Sequence, residues 1–234
     1  MLKVKAMYCF RYFKKCVVLI GFIFIYSTAN AGAYVDFFRA VLRDDAYSTR
    51  QLLSEGLDPN TVSETAQPAL IYAIRQESYK AAQALISDPR TDLNLSNPQG
   101  ESALMMAALK GQAPLVDQLI KRGAAINKPG WTPLHYAATG GNAEILAILL
   151  AHDADLNAAS PNGTTPLMMA ARYGSPECVQ LLLQAGANPE LKNQMGLTAL
   201  DFARQGARPD ARKILEKTLE HPQWPDEPNQ PIQY

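Results

Sequence analysis

The chain has 234 residues, of which 47% are hydrophobic, with 22 basic and 22 acidic side chains. This composition permits a substantial core and excludes a fibrous or wholly disordered protein. The charges are unevenly placed, since five basic residues fall in the first fifteen positions and no acidic residue precedes Asp36.

The first predicted element is an export signal in residues 1–31. A basic stretch is followed by an apolar run from Val17 to about Tyr26, and then by small and polar residues that end at Ala31. These are the three regions of a secretory signal peptide, and we expect cleavage after Ala31. An uncleaved anchor is the alternative, but the apolar run is shorter than the roughly 20 residues that span a bilayer. Cys16 precedes this run, which argues against a lipid anchor.

Removal of the signal would leave 17 basic and 22 acidic residues. These bases do not form a cluster of the kind that holds phosphates, so we predict no binding of nucleic acid. Cys178 would be the one remaining cysteine, so no internal disulfide could form in an oxidising compartment. Stability must then come from packing.

The next elements repeat along the chain with a period of 33 residues. Gly130–Ala138 aligns with Gly163–Ala171 at an offset of 33, and Gly196–Ala203 follows at 33 again. Gly100–Ala108 is a fourth copy, and Pro68–Ala73 is a looser fifth. Each copy leads into a second apolar segment and then into a turn that contains Asp, Gly or Asn. A fixed period of this length indicates a solenoid whose units are helix, turn, helix and loop.

The helices have start signals at the same position of each copy. Thr132, Thr165 and Thr198 are predicted to be N-caps, and proline occupies the first helical position after the first two of them. One unit cannot bury both faces of its helices, so neighbours must stack and the end units need polar outer sides. We therefore predict about six helix pairs in residues 32–220, of which the first and last are caps.

Together these copies resemble the ankyrin repeat. Thr132-Pro133-Leu134-His135 matches the opening of that repeat, and Asp153-Ala154-Asp155-Leu156-Asn157 matches its closing loop. The resemblance covers about residues 36–220 and implies an all-α ankyrin-repeat solenoid of stacked helix-turn-helix units with hairpin-like loops. It also implies a protein that is not an enzyme and that binds a protein partner through its loop tips and the concave face of its first helices.

The resemblance places the candidate partner-binding residues on two surfaces. The loop tips would present Gln99, Glu101, Trp131, Asn162, Thr164 and Met195. The concave ends of the first helices would present Arg75, Lys110, Arg172 and Tyr173. Alternatively, most of these side chains are merely solvated, because fewer than about 30% of interface residues matter to affinity in alanine scans.

Trp131 coincides with an irregularity in the period. The spacing from Ser102 to Thr132 is 30 instead of 33, so the loop before Trp131 lacks three residues. One hypothesis is a notch in the row of loop tips, floored by Trp131 and walled by the loops near Gln99 and Asn162. Tryptophan is enriched at interface hot spots, which favours this hypothesis. The alternative is that Trp131 only covers apolar surface that the short loop would expose.

The residues that could carry chemistry form no recognised catalytic pattern. His135 falls at the histidine position of the repeat, where the resemblance implies a structural hydrogen bond to loop backbone. Cys178 is expected to pack as a small apolar residue, with a redox role as the alternative. The sequence has no paired metal-ligand spacing, phosphate loop or nucleophile elbow. We therefore predict no catalytic residue, metal or cofactor.

The last predicted element is a proline-rich tail, residues 221–234. Its four prolines, from Pro222 to Pro231, follow one another at intervals of three, which matches the period of polyproline II. This segment is either a ligand strip for an aromatic groove, with Trp224 as an anchor, or a flexible terminus.

An exported solenoid of this kind resembles bacterial periplasmic ankyrin proteins, so we predict a periplasmic location and membrane contact only through the signal peptide. One alternative is a secreted effector that binds a host protein. Another is an accessory factor in periplasmic oxidative-stress defence, which the resemblance to some bacterial ankyrin proteins suggests. The sequence leaves the identity of the partner and the oligomeric state open.

Overall fold

A computed structural model describes residues 32–220 of the chain. The predicted signal peptide, residues 1–31, and the predicted tail, residues 221–234, lie outside the described residues. Twelve helices occupy the described part, beginning with α1 at residues 32–42. The others are α2 (Ala46–Ser54), α3 (Ala69–Arg75), α4 (Tyr79–Ser87), α5 (Ala103–Leu109), α6 (Ala113–Lys121), α7 (Pro133–Gly140), α8 (Ala143–Leu150), α9 (Pro166–Tyr173), α10 (Pro176–Gln184), α11 (Ala199–Gln205) and α12 (Pro209–Glu220).

The helices form a ladder of antiparallel pairs, which confirms the predicted all-α solenoid. From α3 to α11, each odd-numbered helix contacts the odd-numbered helix of the next unit, and the even-numbered helices from α2 onwards form a second layer in the same way. Extended backbone pairing in residues 32–220 is confined to two loop bridges, Val62 with Pro68 and Ser96 with Ser102. In the same part of the chain, no helix is both long and apolar enough to span a bilayer.

The helix starts follow the side-chain signals in the sequence. The hydroxyls of Thr165 and Thr198 accept backbone N–H groups from the first turns of α9 and α11. Ser175 and Asn142 cap α10 and α8 in the same way. Each cap satisfies an N–H group that the helix itself cannot pair, and the predicted helix starts at Thr165 and Thr198 are confirmed.

A continuous core runs through the ladder between the two layers. Leu134 of α7 and the α8 residues Leu146 and Leu149 have no exposed surface. Pairs of adjacent alanines on the odd-numbered helices, such as Ala107–Ala108 and Ala137–Ala138, are also fully buried. Small side chains on the odd-numbered helices therefore bring these helices together, while leucines of the even-numbered helices fill the space between units.

The backbones of neighbouring odd-numbered helices approach closely at glycines near the C-terminal ends of the helices. A Cβ atom on Gly174, which follows α9, would lie 2.3 Å from the carbonyl oxygen of Ala138 in α7. A Cβ atom on Gly206, which follows α11, would lie 2.6 Å from the carbonyl oxygen of Arg172. These distances are far below van der Waals contact, so the backbones meet directly at both joints.

Successive units are also joined by one recurring hydrogen bond. The side-chain oxygen of an asparagine near the end of one unit accepts a backbone N–H from the next unit, at N···O distances of 2.8–3.1 Å. The asparagines and their donors are Asn60 with Asp92, Asn94 with Ala125, Asn127 with Asp155, and Asn157 with Asn188. This bond sets the spacing between loops, and we call the series the asparagine ladder.

The two ends of the solenoid differ. The outer side of α12 is polar and exposes Arg212 and Lys217, as expected of an end unit. At the other end, α1 buries Phe37 against the core but leaves Val35 51% and Leu42 52% exposed. The first unit therefore keeps apolar surface that the last unit lacks.

Candidate functional site

Five loops project from one edge of the ladder, and four of them have the same length. We call these loops fingers 1 to 5, and they comprise residues 61–68, 95–102, 128–132, 158–165 and 191–198. In fingers 1, 2, 4 and 5, a backbone N–H donates to the carbonyl oxygen four residues later, at 2.8–3.0 Å. The donors are Ser63, Asn97, Ser160 and Asn193. Four fingers are thus closed hairpins of one design.

Finger 3 is the exception, because it is three residues shorter and lacks the residue whose backbone N–H closes each of the other four fingers. An open cavity of about 390 Å³ lies at the base of finger 3. Lys128 of finger 3 reaches finger 2, where its ammonium donates to the carbonyl oxygen of Gly100 at 2.8 Å. The cavity is lined by Asn127, Lys128, Pro129, Thr132, Asp155 and Ala158. We call it the finger-3 cavity. The gap in the row of fingers is where the 30-residue spacing predicts it.

Trp131 lies beside this cavity but does not form its floor. The side chain is half-buried, and its ring meets the edge of the His135 ring at a centroid distance of 5.1 Å. The lining of the cavity does not include Trp131. Trp131 therefore packs against His135 and is not the floor of this cavity.

His135 joins two units and is fully buried. Its Nδ1 accepts from the backbone N–H of Thr132 at 3.2 Å, and its Nε2 lies 2.9 Å from the carbonyl oxygen of Thr164 in finger 4. An Nδ1 that accepts leaves the proton on Nε2, which then donates to that carbonyl. His135 thus bonds loop backbone, as the resemblance implied.

Acid is expected to destabilise the protein through His135. Burial lowers the pKa of His135 in the folded protein below its ordinary value of 6.5, which applies to the unfolded chain. At a pH between these two values, the unfolded chain therefore binds the proton more strongly than the folded protein does. The neutral ring contributes its full stability above the unfolded pKa, and this contribution is lost as the pH falls toward the lowered pKa. We expect the melting temperature to drop as the pH falls below about 6.5, and the drop to be smaller in His135→Gln.

The control for this measurement is His152→Gln, which changes an exposed histidine at the end of α8. Its pH dependence should match that of the unchanged protein. A pH dependence of undiminished size in His135→Gln would contradict the assignment.

On the concave side, Glu101 connects finger 2 to the first helices on both sides of it. Its carboxylate accepts from Asn97 at 2.7 Å and from the Tyr136 hydroxyl at 3.0 Å, and it lies 3.5 Å from Arg75. Burial, and then the hydrogen bond to Glu101, raises the pKa of Tyr136. The structure thus brings the predicted residues Arg75 and Glu101 together, and it adds Tyr136, which the sequence did not single out.

Two of the other three concave positions have polar partners within the solenoid. The ammonium of Lys110 lies 2.8 Å from the carboxylate of Glu77. The guanidinium of Arg172 donates to Gln205 at 3.1 Å and lies 5.1 Å from the ring centre of Tyr173. Tyr173 itself is 48% exposed and can contact a partner with one face of its ring.

The predicted site residues fall into three groups by exposure. Gln99, Asn162, Met195, Tyr173 and Arg75 are exposed. Glu101, Lys110, Trp131 and Arg172 are half-buried. Thr164 is buried, with 2% of its surface exposed, because it lies at the base of finger 4 and not at the tip. Its predicted place at a loop tip is therefore wrong.

An aromatic groove at the first unit was missed by the sequence analysis. It encloses about 370 Å³ between α1, α3 and finger 1, and its walls include Tyr34, Val35, Phe38, Leu42 and Tyr72. The sequence signal was the row of apolar residues on α1, which our interpretation assigned to an end cap.

The described residues offer little reactive chemistry. Cys178 has no exposed surface, and burial raises the pKa of its thiol, so it lies in the core as predicted. Within residues 32–220, no three His, Cys, Asp or Glu side chains are grouped so that they could hold a metal ion. The accessible features are thus the fingertips, the finger-3 cavity, the concave helix ends and the aromatic groove.

Comparisons with known proteins agree with the ladder. A family model described as "Ankyrin repeats (3 copies)" matches residues 37–129, 70–160, 105–193 and 157–221. Mouse Protein phosphatase 1 regulatory subunit 27 is 32% identical over 120 residues, which are 50% of this chain and 78% of that protein.

Other relatives are matched over a small part of their length. Rat Ankyrin repeat and SAM domain-containing protein 6 is 37% identical over 109 residues, or 45% of this chain and 12% of that protein. The Palmitoyltransferase AKR1 of Lachancea kluyveri is 28% identical over 123 residues, or 50% of this chain and 17% of that protein. The similarity to these two proteins is thus to their repeats.

Proposed function

Since the chain belongs to the ankyrin-repeat family, we propose that it is an exported, non-catalytic protein that holds a protein partner in the periplasm. Ankyrin repeats generally mediate protein–protein interaction, and one relative is named as a regulatory subunit of another protein. The family is typically non-catalytic, although another relative is named as a palmitoyltransferase. These names support a binding role for the repeats.

The finger-3 cavity is the observation that indicates where on the surface the partner binds. Four fingers repeat one closed design, and packing explains that regularity. The short finger 3 opens a cavity of about 390 Å³ whose walls are polar at Asn127, Lys128 and Asp155. A concave site with a few polar groups is the usual form of a specific binding site. We infer that the partner inserts a loop or side chain at this gap and also touches the exposed tips of fingers 2 and 4.

Lengthening finger 3 is expected to remove binding without unfolding the protein. In the test variant, residues 128–130 are replaced by Leu95–Gly100 of finger 2, which restores the common length. The partner is first identified by affinity capture from a periplasmic extract with the unchanged protein. We expect its affinity for the variant to fall at least about tenfold, or about 1.4 kcal/mol, while the melting temperature stays the same.

The matched control inserts the same six residues into finger 5 in place of Leu191–Gly196, where the length does not change. This control should keep most of the affinity. If the lengthened finger 3 binds the partner as tightly as the unchanged protein, the finger-3 cavity is not the site.

The proposed compartment is supported by the basic, apolar and small-residue regions of residues 1–31, and by the single cysteine after them. Fractionation of cells into medium, periplasm and membrane tests it, with the N-terminus of the recovered protein sequenced. Recovery from the medium would instead favour a secreted effector, and recovery from the membrane with residues 1–31 intact would favour an anchor.

A further inference from the structure

The aromatic groove at the first unit has the surface chemistry of a peptide-binding site. The Phe38 ring packs against Tyr34 at a centroid distance of 5.0 Å and edge-on against Tyr72 at 5.4 Å, so three rings form one wall. Val35 and Leu42 extend this wall along α1, and each is about half exposed. The groove thus offers rigid rings and exposed aliphatic groups in one line.

Hydroxyl groups give the groove polar points as well. The Tyr34 hydroxyl donates to the carbonyl oxygen of Val62 at 3.0 Å, which fixes finger 1 beside α1. Tyr72 also lines the groove, and a tyrosine hydroxyl can donate to a peptide carbonyl. Grooves lined by aromatic residues are the surfaces that recognise proline-rich segments in the polyproline II conformation.

The chain itself contains a segment of matching chemistry. Residues 221–234 place a proline at every third position from Pro222 to Pro231, so all four prolines fall on one face of a polyproline II helix. Trp224 lies between the first two prolines. The segment contains Asp226 and Glu227 but no Lys or Arg. The groove is lined by Glu64 and by Arg39, whose guanidinium lies 2.7 Å from the carboxylate of Asp36.

We propose that residues 221–234 of one molecule dock in the aromatic groove of a second copy, so that the protein associates head to tail. This inference does not depend on the proposed partner or compartment, because it uses a different surface.

Geometry requires a second copy. Six units spaced about 10 Å apart separate α1 from the end of α12 by roughly 50 Å. The last proline, Pro231, comes eleven residues after Glu220, a reach of about 34 Å in polyproline II, and the other three prolines are nearer to α12. The proline strip therefore cannot reach the groove of its own molecule. A contact between unlike surfaces of identical chains either closes into a ring, of which a reciprocal dimer is the smallest, or continues as an open chain.

The test uses a synthetic peptide of residues 221–234 and protein expressed from the full chain, with binding followed by isothermal titration calorimetry. We expect the peptide to bind at one site per chain. Val35→Glu should weaken binding at least about tenfold, because a carboxylate would replace an exposed apolar group in the groove. Tyr47→Glu is the matched control, since Tyr47 is 74% exposed on α2 and does not line the groove.

Sedimentation velocity at increasing concentration tests the association itself. The full chain should form species larger than a monomer, and both Val35→Glu and truncation after Glu220 should abolish them. A peptide of the same composition with the three-residue proline spacing broken should not bind. If the truncated chain associates as strongly as the full chain, or if the peptide binds Val35→Glu and unchanged protein alike, the proposal is overturned.

Discussion

Gly174→Ala is expected to destabilise the protein by about 3 kcal/mol, although the change adds only one methyl group. The new Cβ atom would lie 2.3 Å from the carbonyl oxygen of Ala138 and 2.9 Å from the Cα of Ala170. Both contacts are with backbone atoms, which cannot rotate away as a side chain can. The end of α9 must therefore move away from α7, and buried contacts on both sides of Gly174 are lost. Thermal and urea unfolding measure the loss.

Gly100→Ala is the control for this substitution. Gly100 has a φ of +78° at the tip of finger 2, and a Cβ atom there would meet nothing within 4 Å. Its cost is the left-handed backbone alone, about 1 kcal/mol. Equal losses for the two variants would show that space at Gly174 is not the limiting factor.

Leu149→Ala is expected to cost about 3 to 4 kcal/mol. Leu149 has no exposed surface, and it belongs to α8, which contacts both α6 and α10. Truncation removes buried methyl groups and leaves a cavity that the neighbouring helices can close only in part. Because each unit of a solenoid is stabilised by its neighbours, a weak central unit should also uncouple the two halves. We therefore expect two unfolding transitions instead of one when helical circular dichroism is followed against urea.

Leu150→Ala provides the comparison, since Leu150 is adjacent in α8 but only half-buried. It should cost about 1 kcal/mol and keep the unfolding behaviour of the unchanged protein. An unfolding curve of Leu149→Ala with one transition near the original midpoint would contradict the expectation.

The sequence predicted most of the ladder because its signals are local. The caps Thr165, Thr198 and Ser175 each bond a backbone N–H three residues later, so their role can be read from a few neighbouring positions. The short finger 3 could also be predicted from the sequence, because the 33-residue period of the other copies sets the expected length of each loop.

The candidate site was harder to predict, because its contacts join residues about 30 positions apart. Glu101 accepts from Tyr136, 35 residues away, and the ring of His135 bonds Thr164, 29 residues away. Those bonds depend on the rise and rotation between units, which the repeat pattern does not give. Thr164 was assigned to a loop tip for this reason, whereas the fold buries it at the base of finger 4.

The asparagine ladder bears on how such a chain can change in length over evolutionary time. Each link uses one side-chain oxygen from a unit and one main-chain amide from its successor, so the donor does not depend on the identity of the following residue. A gene segment that encodes a whole unit therefore carries an acceptor for the next copy and an amide for the previous one. Tandem duplication of 33 codons could lengthen the protein while every junction stayed chemically the same, and the tips would be free to diverge.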